Sequence, residues 1–148
     1  MTHPDIAFQK IRSGKAVAKK LFDEVVTWEG STDLDKLNAW CLLFLQNDEY
    51  FERITKNIAV ILSSGNRKAI INCLLVLMDS SDRIIMAPRI KKATRHAFLT
   101  GDVSSRINAT RVLAAQKNLG DATAKKLLLT AMDDPDAHVR DNATVFLK

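Results

Sequence analysis

Apolar residues in this chain recur at helical spacing. Four segments place core-type residues at i, i+4, i+7 and i+8: Leu37/Cys41/Phe44/Leu45, Ile70/Leu74/Leu77/Met78, Ser105/Ala109/Val112/Leu113 and Val139/Ala143/Phe146/Leu147. Successive segments are offset by 33, 35 and 34. Each is preceded by a segment with spacing i, i+3, i+4, i+7: Ala18/Leu21/Phe22/Val25, Thr55/Ile58/Ala59/Leu62, Ile90/Ala93/Thr94/Ala97 and Ala124/Leu127/Leu128/Ala131. Such spacing puts each set on one face of an α-helix. The links are polar: Gly30-Ser31-Thr32-Asp33, Ser63-Ser64-Gly65-Asn66, Thr100-Gly101-Asp102 and Asp133-Asp134-Pro135-Asp136. Gly suits the position after a helix, and Asp, Asn or Ser caps the next one. Pro135 and Pro88 sit near expected helix starts, where a missing N–H costs little. Pro88 is also placed to kink a helix beginning near Arg83.

A direct repeat reinforces the frame. Arg106-Ile-Asn-Ala-Thr-Arg-Val-Leu113 recurs as Arg140-Asp-Asn-Ala-Thr-Val-Phe-Leu147, five matches in eight at an offset of 34. A period of this length points to stacked helical hairpins, which bury a continuous core only by packing on their neighbours. The expectation is one all-α domain over 1–148, an α-solenoid of about four helix pairs. The pairs fall at about 15–46, 48–78, 83–117 and 121–147, with a short extra helix over 4–12. Ala109 and Ala143 occupy equivalent positions, where helices should approach closely.

Residues 134–143, Asp-Pro-Asp-Ala-His-Val-Arg-Asp-Asn-Ala, resemble the turn and second helix of a HEAT-type repeat of the short, bacterial-lyase-like kind. The resemblance implies a right-handed α-solenoid. It also implies that a turn Asp and a helix Arg support one another between stacked repeats, a role falling on Asp134 and Arg140. Around residues 100–109, Arg106 and Ala109 match, but Thr100 stands in place of the Asp, and Asp102 is offset by two. The first two pairs match in spacing alone. Tetratricopeptide repeats share the period, but their Trp, Leu-Gly and Tyr pattern is absent.

Composition agrees with helices. Of 148 residues, 47% are apolar and 6% aromatic, with 5 Gly and 3 Pro, too few turn-formers for a β-sandwich. No apolar run approaches the roughly 18 residues that would span a bilayer. Met1-Thr2-His3-Pro4-Asp5 does not open a signal peptide, so the expected compartment is the cytoplasm, with no membrane association. Cys41 and Cys73 lie in apolar helical runs and read as small buried hydrophobes. The net charge of +5 is unevenly divided. Residues 23–52 hold eight acids and one base, a net −7, and residues 83–126 hold ten bases and two acids, a net +8. A chain that keeps sequence order in space would be acidic at one end and basic at the other, a field that steers charged partners.

Catalytic and metal-binding patterns are lacking. His3, His96 and His138 are far apart, with no ligand at metal spacing. Ser13-Gly14-Lys15 resembles the end of a phosphate loop, but Gln9 replaces the first Gly. Asp23 and Glu24 are adjacent and point about 100° apart on a helix. No nucleophile–base signature surrounds Cys41 or any Ser. The expectation is therefore a non-enzymatic protein-binding module without cofactor or metal. Its favoured form is a dedicated one-partner inhibitor, such as an immunity protein that neutralises a basic toxin. Asp35, Asp48, Glu49, Tyr50 and Glu52 would meet the partner, with Tyr50 as the aromatic anchor among carboxylates. Core packing is the ordinary role for Trp28, Trp40 and Phe51. The alternative is a nucleic-acid-binding protein using Arg89, Lys91, Lys92, Arg95, Arg106 and Arg111, joined by Lys117, Lys125 and Lys126.

Overall fold

A computed structural model describes residues 51–78 and 80–148. The expected N-terminal helix over 4–12 and pair over 15–46 lie outside the described residues, as do His3, Trp28, Trp40 and Cys41. Among the described residues every regular element is an α-helix: α1 Phe51–Leu62, α2 Arg67–Met78, α3 Asp82–Ile85, α4 Pro88–Thr100, α5 Val103–Asn118, α6 Ala122–Ala131 and α7 Ala137–Leu147.

Local chemistry sets the boundaries. After α1 the chain turns at Gly65, whose φ of 75° lies in the left-handed region that favours glycine. Asn66 then caps α2, its Oδ1 accepting from the Ala69 N–H at 3.1 Å. Asp102 caps α5 by accepting from the Ser105 N–H at 2.9 Å. Asp136 caps α7 by accepting from the His138 and Val139 N–H groups at 2.9 and 3.2 Å. α5 ends in a Schellman motif: the Asp121 N–H reaches the Gln116 carbonyl, the Gly120 N–H reaches that of Lys117, and Gly120 has φ 99°.

Two boundaries differ from the spacing-based expectation. No helix runs unbroken from residue 83. The short α3 ends at Ile85, Ala87 is extended, and α4 starts at Pro88, because a residue before proline avoids the helical region. Gly101 closes α4 without a left-handed φ. Its requirement is space: a Cβ there would overlap the Ala97 carbonyl oxygen and lie 2.7 Å from the Ser105 Cβ.

α1 packs on α2, α4 on α5 and α6 on α7. Neighbouring pairs meet through like helices, α1 on α4 and α2 on α5 on α7. α5 also packs on α6 and is the central element of the described fold. Most of the core-facing positions are closed to water, and Ala59, Met78, Leu127, Phe146 and Leu147 pack against them half-buried. Thr55, Ile58 and Leu62, then Ile70, Leu74 and Leu77, then Ile90, Ala93, Thr94 and Ala97 are all buried. So are Ser105, Ala109, Val112 and Leu113, then Ala124, Leu128 and Ala131, then Val139 and Ala143. Thr94 is accommodated because its hydroxyl donates to the Ile90 carbonyl at 2.7 Å.

Ala109 and Ala143 are each 0% exposed. Replacing Ala143 with Leu is expected to overpack this contact and to cost roughly 1–3 kcal/mol. Urea denaturation checks it, and a midpoint equal to that of the parent chain would contradict the placement of the repeat.

Candidate binding surfaces

The strongest polar contact between helix pairs is a carboxylate–guanidinium fork. Asp134 stands in the turn between α6 and α7, its side chain 9% exposed. Arg106 of α5 reaches it with Nε donating to Oδ2 at 3.0 Å and Nη2 to Oδ1 at 3.1 Å. The same guanidinium donates from Nη1 to the Gly101 carbonyl at 3.0 Å, and the Asp136 N–H donates to Asp134 Oδ1 at 2.9 Å. Arg106 therefore ties α5, the turn before it and the turn of the next pair. Arg140, the equivalent residue of that next pair, repeats the backbone half of this pattern, Nη1 donating to the carbonyls of Asp134 at 2.7 Å and Pro135 at 3.0 Å.

The support that a turn Asp and a helix Arg were expected to give one another between stacked repeats thus joins Asp134 to Arg106 of the preceding pair. The Asp134 carboxylate belongs to Arg106, and Arg140 meets Asp134 only at the backbone. The repeat explains why. Asp102 and Asp136 hold equivalent places in successive pairs and both serve as N-caps, which leaves Asp134 available to the arginine of the preceding pair.

Weaker bridges also join neighbouring pairs. Arg67 on α2 pairs with Asp102 and donates to the Ser104 hydroxyl at 3.3 Å. Arg89 on α4 pairs with Glu52 on α1 at 3.1 Å. Both are well exposed, where such pairs contribute about 0–1 kcal/mol. Arg95 on α4 lies 3.7 Å from Asp121 ahead of α6, an ion pair too long for a hydrogen bond. Gln116 of α5 is fully buried and donates to the Ile85 carbonyl at 3.1 Å, fastening α3. Lys117 donates to the Phe146 carbonyl at 2.7 Å, beside the last turn of α7.

The residues expected to meet a partner are dispersed. Asp35, Asp48, Glu49 and Tyr50 lie outside the described residues; Glu52 is exposed in the first turn of α1. Of the cations of the alternative reading, Arg89, Arg95 and Arg106 each face a carboxylate, and Arg106 is only 21% exposed. Lys91 is half-buried and Lys92 exposed on α4, and Arg111 is exposed on a different helix, α5. Lys125 and Lys126 are exposed on α6. The structure thus does not bring the proposed phosphate contacts together as one set. It uses Arg89, Arg95 and Arg106 among them to bridge neighbouring helix pairs, a role that spacing alone did not signal.

Two adjoining depressions sit beside these groups. One lies between α1 and α4, lined by Ala59, Ser63, Arg89, Lys92, Ala93 and His96. The other shares Ser63 and His96 and extends over the turns to Arg67, Thr100 and Asp102. His96 and His138 are exposed. The Cys73 thiol is buried, its Sγ 4.0 Å from the Ile58 carbonyl oxygen. Among the described residues no His, Cys, Asp and Glu cluster could hold a metal ion, and no helix is long and apolar enough to cross a membrane. Thr110 of α5 is buried, whereas its counterpart Thr144 of α7 is exposed, with Val145 exposed beside it.

Compared with models of known families, with curated proteins and with solved structures, the chain matches none.

The carboxyl of Asp134 titrates below the ordinary aspartate range. Burial pushes it up, but the Arg106 hydrogen bonds, the Asp136 N–H and the charges of Arg106 and Arg140 together pull it further down. Asp102 is lowered as well, first by the Ser105 backbone N–H. A carboxyl with a depressed folded-state value stabilises the fold above its unfolded value of about 4, and that contribution is lost as pH falls through the folded value. Asp134→Asn is expected to lower stability at pH 7 by roughly 1–3 kcal/mol. The gap between parent and variant should narrow as pH drops below about 4. Denaturant titrations across pH check both, and a gap independent of pH would contradict the assignment.

Proposed function

We propose that the chain is a right-handed solenoid of HEAT-like helix pairs that works by docking one protein partner. In this reading it is a dedicated cytoplasmic inhibitor, such as an immunity protein that neutralises a basic toxin. The recurrence at an offset of 34 and the packing of like helices, α1 on α4 and α2 on α5 on α7, support the solenoid. The observation that carries the docking function is the division of charge. Residues 23–52 hold a net −7. Glu52, at their C-terminal end, has a side chain 74% exposed. Docking would use Asp35, Asp48, Glu49, Tyr50 and Glu52, with the carboxylates steering a basic surface and Tyr50 anchoring it. The forks between pairs support a stiff scaffold, which limits the ordering cost of binding.

Nucleic-acid binding by the whole 83–126 stretch is less well supported. Arg89, Arg95 and Arg106 hold carboxylates of the chain itself, which removes half of its six leading contacts.

Affinity capture with the chain from its native host supplies the partner, and stopped-flow kinetics then test the mechanism. Rim charges act on association, whereas a central aromatic acts on dissociation. Glu49→Lys/Glu52→Lys is expected to slow association and flatten its dependence on salt, with the melting curve retained. Tyr50→Ala is expected to speed dissociation. An association rate unchanged by the double charge reversal would remove the acidic segment from the mechanism.

A further inference from the structure

The first helices of the three described pairs, α1, α4 and α6, carry eight bases and one acid, Glu52. Their lysines follow the repeat. Lys56, Lys91 and Lys125 each come directly after the first buried position of the core stripe, Thr55, Ile90 and Ala124. Their offsets, 35 and 34, are those of the helix pairs themselves. Lys92 and Lys126 occupy the next position on α4 and α6. Equivalent positions on equivalent helices leave the backbone in the same direction. The result is one lysine or lysine pair per helix along the outer side.

α1 packs directly on α4, α4 and α6 both pack on α5, and Arg95 of α4 faces Asp121 at the head of α6. Packed helices stand about 8–10 Å apart, which sets the step from Lys56 on α1 to Lys91 on α4. The sequence continues the register at Lys19 and Lys20, directly after Ala18, outside the described residues.

The chemistry of the two cations is divided. On these helices Arg89 and Arg95 face carboxylates, which suits a rigid planar fork. The five lysines make no ion pair with any described residue. Lys56, Lys92, Lys125 and Lys126 are exposed and Lys91 is half-buried. Glu52 and Asp121 are the carboxylates closest to the row in sequence, and each is already faced by an arginine.

We propose that Lys56, Lys91, Lys92, Lys125 and Lys126 form a sequence-independent contact for the phosphate backbone of a nucleic-acid duplex. A row of flexible point charges at regular intervals matches a polyanion with a charge about every 3.4 Å along each strand. None of the large hydrophobic side chains exposed among the described residues is aromatic. The exposed aromatic rings of the described surface are those of His96 and His138, on separate helices, and no run of rings forms a stacking platform, which favours backbone contact with a duplex over single-strand binding. Val60, Leu99 and Leu129 are exposed one per helix, without the aromatic belt and broad apolar face that hold a helix in a lipid interface. The assignment does not rest on the protein-docking reading.

Fluorescence anisotropy with a labelled mixed-sequence DNA duplex tests it, with the full chain. Neutralising about four phosphates would weaken binding on the order of 10²-fold between about 50 mM and about 200 mM salt. Lys91→Gln/Lys92→Gln and Lys125→Gln/Lys126→Gln should each make the salt dependence shallower by roughly two phosphates, with unchanged helical melting. Lys68→Gln/Arg111→Gln removes the same charge from second helices and should leave binding as it was. The proposal is overturned if the duplex fails to bind at low salt. It is equally overturned if the Lys68/Arg111 control weakens binding as much as the row variants, because net charge would then suffice. Retention on phosphatidylserine-containing vesicles without duplex binding would replace nucleic acid by a membrane surface.

Discussion

The described fold depends on the fork between Arg106 and Asp134. Interdigitating apolar side chains set how closely one pair sits on the next, and the fork adds a directional polar contact between α5 and the last pair. One guanidinium holds the carboxylate in the following turn and the carbonyl of Gly101 in its own, at 3.0–3.1 Å throughout. Gly101 permits the approach, since the space a Cβ would need is already filled by Ala97 and Ser105. Partial burial strengthens the contact relative to the exposed bridges at Arg67 and Arg89, and it makes an unpaired partner costly.

Fixing the offset between pairs also fixes what their surfaces present. Arginine and lysine then divide the basic charge by chemistry. Arg67, Arg89, Arg95 and Arg106 face carboxylates of neighbouring elements, and Arg140 holds backbone carbonyls. The lysines of α1, α4 and α6 make no ion pair with a described residue, and all but the half-buried Lys91 are exposed. A net charge read from sequence does not distinguish these two populations. In this chain, much of the apparent phosphate-binding capacity of residues 83–126 is structural.

The helices and their core faces were legible from spacing because burial on a helix is periodic. Val139 and Ala143, Ser105 and Ala109, and Ile90 and Ala97 were all placed by their neighbours at three and four residues, and all are buried. The partner of a long side chain is not periodic. Arg106 and Asp134 are 28 residues apart, a separation that differs from the repeat length, so matching equivalent positions pointed to Asp134 and Arg140 instead. The break before Pro88 was visible as a proline, but α3 was not. Its four residues are too few for a stripe, and it is fastened by the buried Gln116, a polar residue in a helix with no local reason to be buried. The acidic residues Asp35, Asp48 and Glu49 remain a feature of the sequence, and Glu52 is the member whose surroundings are described.

The central claim is that Arg106 and Asp134 act as a unit in joining neighbouring helix pairs. A double-mutant cycle on stability with Arg106→Ala, Asp134→Ala and the double variant measures this directly. Residues in one hydrogen-bonded network couple by about 0.5–3 kcal/mol. The fork predicts a coupling of about 2 kcal/mol, toward the upper part of that range, with the double variant little worse than either single one. Strictly additive losses, with a coupling within about 0.3 kcal/mol of zero, would show that the two side chains stabilise the fold independently and would contradict the account.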